Sequence, residues 1–78
     1  MIKQVIVHTF SMGDVEDPEI FVAEPLYEWE HSEAGAWIMQ HSVEIPSWRI
    51  GIGSRGYTCT VRAVLNEEDY TFWRLKYE

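Results

Sequence analysis

Glu33 is the residue whose position asks most for a chemical explanation. Read within one helix from about Pro25 to His41, it stands four residues after Trp29 and four before Trp37, so a carboxylate is centred on an apolar stripe. A group so placed must be paired, protonated or at an exposed edge. A guanidinium from a facing sheet, Arg62 or Arg74, would pair it; left unpaired between two indoles, it would suit a general acid or a ligand anchor. Three histidines offer a second chemistry. His8, His31 and His41 could join Asp14 or Glu44 at a metal, and His41-x-x-Glu44 is a conceivable ligand pair. Their scatter matches no known ligand frame, and the single cysteine cannot complete one, so neither a metal nor a cofactor is expected.

Cys59 lies mid-strand among apolar neighbours, which makes it an inert core thiol rather than a nucleophile. As the only cysteine it also excludes an intrachain disulfide. Gly51-Ile52-Gly53-Ser54-Arg55-Gly56 has the glycine content of a phosphate loop, but it joins two strands and opens no helix, so the dipole and free N–H groups that hold phosphate are missing. No catalytic constellation emerges, and the expectation is a protein that is not an enzyme.

The elements that must position these residues follow from periodicity. Ile2 to Phe10 reads as an interior strand, with Val5, Val7 and Thr9 on one face and Ile2, Ile6, His8 and Phe10 on the other. Asp17-Pro18-Glu19 is a helix start, giving a short piece from about Pro18 to Ala23, and Pro25 then kinks or breaks the path into the main helix ending near His41. Gly35 costs that helix roughly 1 kcal/mol relative to alanine, which a closely approaching backbone would explain. Ser32 as an N-cap offers the alternative of a helix shortened to about Ser32–His41. After Pro46, Trp48, Ile50 and Ile52 alternate with Arg49 and Gly51; Gly53-Ser54-Arg55-Gly56 turns the chain.

Tyr57 to Leu65 is the clearest strand, with Tyr57, Cys59, Val61, Ala63 and Leu65 on one face and Thr58, Thr60, Arg62 and Val64 on the other. Asn66-Glu67-Glu68-Asp69 then reads as a hairpin turn, and Tyr70 to Tyr77 as a last strand with Tyr70, Phe72, Arg74 and Lys76 on one side. The pattern predicts one α+β domain over 1–78. It is a two-layer sandwich of order β-α-β-β-β, in which about four mostly antiparallel strands carry one kinked or broken helix on one face. The last three strands would form a meander, and a right-handed crossover would let the first lie parallel to one of them.

A chain of 78 residues buries only about 60–65% of its unfolded surface, so large side chains must make its core. Four Trp, four Tyr and three Phe supply them, each Trp being worth about 4–6 kcal/mol of area burial before entropy. Trp29, Trp37, Trp48 and Trp73 are thus core candidates. The net charge is −7, and between Lys3 and Arg49 stand nine carboxylates and no Lys or Arg. Phosphate-driven nucleic-acid binding needs a clustered basic face, so no direct nucleic-acid partner is expected. With neither a signal-like start nor a bilayer-length apolar run, no membrane association is expected, and a soluble, cytoplasmic setting is.

Asp14-Val15-Glu16-Asp17-Pro18-Glu19, Glu24-Pro25, Trp29, Ser32-Glu33-Ala34-Gly35, Trp37-Ile38-Met39, Gly56-Tyr57 and Asp69-Tyr70-Thr71 together form a pattern spanning most of the chain. It resembles that of small uncharacterised proteins encoded by tailed phages and found in marine metagenomes. The resemblance implies such a setting, with the host cytoplasm as compartment, and carries over no catalytic residue.

What remains is an interaction protein. A two-layer sandwich leaves one sheet face open, and here that face would carry Tyr70, Phe72, Arg74, Arg62 and Thr60, with Thr58 and Lys76 beside them, a mixture of aromatic and arginine side chains typical of interface hot spots. The expected partner is a protein or a second copy of the chain, as a homodimer burying that face. A different class is an acidic decoy, whose carboxylates imitate nucleic-acid phosphates toward a host enzyme; a third is an enzyme or ligand binder centred on Glu33.

Overall fold

Alternation along the residues from Tyr57 to Leu65 decides the layout. In the computed structural model, which describes residues 1–77, they belong to β3 (Gly56–Asn66), the middle strand of a three-stranded antiparallel sheet. β1 (Ile2–Gly13) pairs with one edge of β3 and β2 (Ser47–Gly53) with the other. Between β1 and β2 run three helices, α1 (Pro18–Phe21), α2 (Ala23–Glu30) and α3 (Glu33–His41), and α4 (Glu67–Lys76) follows β3. Cys59, Val61, Ala63 and Leu65 point to the same side and are at most 2% exposed. Val22, Leu26, Trp29, Ile38 and Trp73 come down from the helices to cover them, so the architecture is a sheet with helices on one face.

The expected fourth strand is a helix. Asn66 caps α4, its side-chain oxygen accepting from the Asp69 N–H at 2.8 Å, and Glu67, Glu68 and Asp69 fill the first turn while Arg74 and Lys76 sit in the last. Both ends therefore match the helix dipole. Trp73 is buried and Tyr70 and Tyr77 pack beside the core, at the i, i+3, i+7 spacing of a helical stripe, which overrides the period-2 reading of the same residues. The meander consequently stops at the β2–β3 hairpin.

β1 is antiparallel to β3 and is an edge strand, not an interior one in a parallel crossover. Its pairing shifts between Ile6 and His8, a bulge that brings Val7 and His8 to the same side. Val5, Val7, His8 and Phe10 thus turn toward the helices, while Gln4, Ile6 and Thr9 turn away, changing the two faces read from the bare alternation. A second shift precedes Gly13. There Gly13 (φ 71°) and Gly56 (φ 102°) adopt left-handed backbone, and a side chain on Gly56 would run into the Gly13 carbonyl.

The main helix is broken at His31-Ser32. Ser32 Oγ donates to the Trp29 carbonyl at 2.6 Å and accepts from the Gly35 N–H at 3.1 Å, ending α2 and capping α3 with one hydroxyl. Gly35 is buried, and a Cβ there would overlap the Trp29 carbonyl oxygen, which is the close backbone approach its presence implies. Beyond α3 the chain hooks onto β3. The Val43 N–H donates to Val64 O at 2.7 Å, and Ser42 Oγ accepts from the Val64 N–H at 3.1 Å, satisfying β3 where β2 no longer reaches it.

Candidate functional site

The break between α2 and α3 removes Glu33 from the apolar stripe. It stands at the first position of α3, its side chain 77% exposed, and meets Lys76 Nζ of α4 at 3.4 Å. The partner is neither Arg62 nor Arg74, and a surface pair of this kind contributes about 0–1 kcal/mol. Glu33 is therefore not the buried polar residue that the single-helix reading expects.

The tryptophans separate in the same way. Trp29 and Trp73 are buried, whereas Trp37 is half-buried between the His41 ring at 4.2 Å and the Phe72 ring at 5.2 Å, and Trp48 is 46% exposed on the β2 edge. The surface candidates divide too. Tyr70, Phe72 and Arg74 are on α4: Tyr70 lies between Lys3 Nζ at 5.2 Å and the Arg74 guanidinium at 5.7 Å, and Phe72 closes the seam against Trp37. Thr60 and Arg62 are where strict alternation puts them, on the face of β3 that no helix covers. The expected aromatic–arginine surface is therefore two surfaces on opposite layers.

What Thr60 and Arg62 do meet is set by register. On β1, Gln4 faces Val64, Ile6 faces Arg62 and Thr9 faces Thr60; on β2, Ser47 faces Arg62 and Arg49 faces Thr60. Residues directly opposite in antiparallel strands share a face, so Gln4, Ile6, Thr9, Ser47, Arg49, Thr60, Arg62 and Val64 form one uncovered surface. Gln4, Ser47, Trp48, Arg49 and Arg62 line a cleft of about 320 Å³ in it. Gln4, Ser47 and Arg49 were missed by the sequence reading. The signal was present in charge: none of the acidic residues among 1–77 lies in a strand, and Lys3, Arg49 and Arg62 are the ionised side chains that do. Among the described residues neither Arg49 nor Arg62 has an ion-pair partner.

The remaining reactive groups belong to the packed side. His8 stacks on Trp29 with ring centroids 5.5 Å apart and lies 5.6 Å from Phe10, and the lost hydration pushes its pKa below the usual imidazole range. Cys59 is fully buried, and burial raises its thiol pKa, the opposite of what a nucleophile needs. His31 and His41 each hold a carbonyl of their own helix through Nδ1 at 2.8 Å, Tyr27 O and Trp37 O respectively. Among the described residues no three His, Cys, Asp or Glu side chains gather as a metal site, and no helix is long and apolar enough to cross a membrane. No protein-family model matches the chain, and comparison with curated proteins and with solved structures finds no match.

Proposed function

We propose that the chain is a small non-enzymatic interaction protein that associates with further copies of itself through the uncovered face of its sheet. One observation carries this reading: in a chain of net charge −7, that face holds Arg49 and Arg62 beside Ile6 and Val64 and presents no carboxylate. Arginine next to apolar surface is the composition of interface centres. A two-fold contact of this face with itself would bring the guanidiniums of two copies together, so the complementary surface is the acidic helical layer, where Glu19, Glu24 and Glu28 are exposed. The contact is then head to tail, and ionic. Light scattering at an ionic strength of about 0.02 M and again at about 0.5 M tests it, because screening at the higher salt weakens such a contact. The expected result is a mass above one chain at low salt that falls to one chain at high salt, and a single-chain mass throughout for Arg62→Glu. A single-chain mass for the unmodified protein at both salts, at high micromolar concentration, rejects the proposal.

The same segregation of charge favours a second reading, an acidic decoy that offers the helical layer to a basic partner. Glu24 and Glu28 border a groove with Ile20, Phe21 and Pro25, so carboxylates and apolar surface are adjacent there. A decoy would lose its partner on Glu24→Lys/Glu28→Lys and keep it on Arg62→Glu, whereas the head-to-tail contact is lost on either change.

A further inference from the structure

We propose that the cleft between Arg49 and Arg62 is an oxyanion site, one that takes a phosphate or carboxylate group. The proposal rests on the reading of the uncovered sheet face as the working surface, and it names the chemistry that surface recognises. Register builds the site. Arg62 is opposite Ser47 and Arg49 is opposite Thr60, so the two arginines are diagonal neighbours on one face, about 7–8 Å apart at the backbone and within reach of a common group. Gln4, from β1, lines the cleft on the far side of Arg62, and Ser47 lines it beside Arg62.

The donors are of one kind. Two guanidinium forks, an amide NH₂ and a hydroxyl surround the space, and no carboxylate lines it. Two like charges held together repel until an anion is placed between them, and guanidinium forks fit the paired oxygens of a phosphate or a carboxylate. The cleft's volume of about 320 Å³ exceeds one such group and leaves room for a larger ligand that carries the anion. Duplex nucleic acid is not matched, because two arginines on a chain of net charge −7 cannot follow a run of phosphates. In an assembly of copies, the anion would be a carboxylate of the neighbouring helical layer.

The experiment is a titration of the isotope-labelled chain, kept dilute enough to be a single chain, with inorganic phosphate, with acetate and with sodium chloride at matched ionic strength. Amide and arginine Nε resonances of Gln4, Ser47, Arg49 and Arg62 are followed. Saturable shifts with phosphate or acetate, at an apparent Kd on the order of millimolar, and not with chloride, are expected. Arg49→Gln or Arg62→Gln should each weaken binding about tenfold and the double variant should abolish it, with the remaining spectrum unchanged. Shifts that follow ionic strength alike in all three salts, or that persist in the double variant, overturn the site. The phosphate and acetate arms decide which oxyanion is preferred. Saturable binding by a chain that light scattering finds monomeric at every salt keeps the site and removes self-association; a salt-dependent mass without saturable binding does the reverse.

Discussion

The two faces of β3 share one backbone, one register and the same neighbouring strands, yet they answer to different demands. The inner face, Cys59, Val61, Ala63 and Leu65, is sealed by side chains from the helices and has no room to vary. The outer face, Thr58, Thr60, Arg62 and Val64, has no layer above it and keeps polar and charged groups at half burial. Pairing of strands alone therefore does not make a core. Large apolar groups arriving from Val22, Leu26, Trp29, Ile38 and Trp73 make it, and the face they do not reach stays outside it.

The contrast is sharpest under truncation at the inner face. Leu65→Ala leaves a cavity under the helices and should cost about 3–5 kcal/mol, most of the stability of so small a domain, as measured by urea denaturation. A midpoint close to that of the unmodified protein would mean the inner face is not the core. Gly35→Ala tests the helical lid rather than the sheet. The new methyl gains up to about 1 kcal/mol of helix propensity but overlaps the Trp29 carbonyl, so a net loss of about 2 kcal/mol is expected, and a stabilised variant would break the proposed α2–α3 contact.

A smaller effect separates the faces by pH. Burial lowers the His8 pKa in the folded chain, so the unfolded chain binds the proton first. The stability is present above the unfolded value of about 6.5 and is lost as pH falls through the lower folded value. His8→Phe should reduce the fall in unfolding free energy between about pH 7.5 and pH 5; an unchanged slope would place His8 in solvent. The smallest effect belongs to the outer face. Arg62→Gln should change stability by no more than about 0.5 kcal/mol while altering association and anion binding, and a large destabilisation would show that Arg62 serves the fold.

Much of the fold was legible wherever two local signals agreed. Residues Tyr57 to Leu65 alternate apart from Val64 and follow a glycine-flanked turn, so β3, its faces and its hairpin to β2 could be read directly, and with them the placement of Thr60 and Arg62. Residues Tyr70 to Tyr77 satisfy both an alternating and a helical pattern. Asn66 to Asp69, read from the sequence as a hairpin turn, are the cap and acidic first turn of α4, and the place of Trp73 against the inner face settles which pattern is used. Glu33 depended on whether one helix or two ran through Ser32, a choice fixed by the Ser32 hydroxyl and by the fit of Gly35 under the Trp29 carbonyl.

By itself, then, the sequence determined which stretches are strongly periodic, where glycine must turn the chain, and that the strands carry no acid. The tertiary structure decided the strand order, the inward turn of His8 at the bulge, and the gathering of Gln4, Ser47, Arg49 and Arg62 on one surface. The reason is physical. Periodicity is a property of neighbours along the chain, whereas these three outcomes depend on contacts between residues far apart in it, whose closure entropy is offset only when the whole core packs at once.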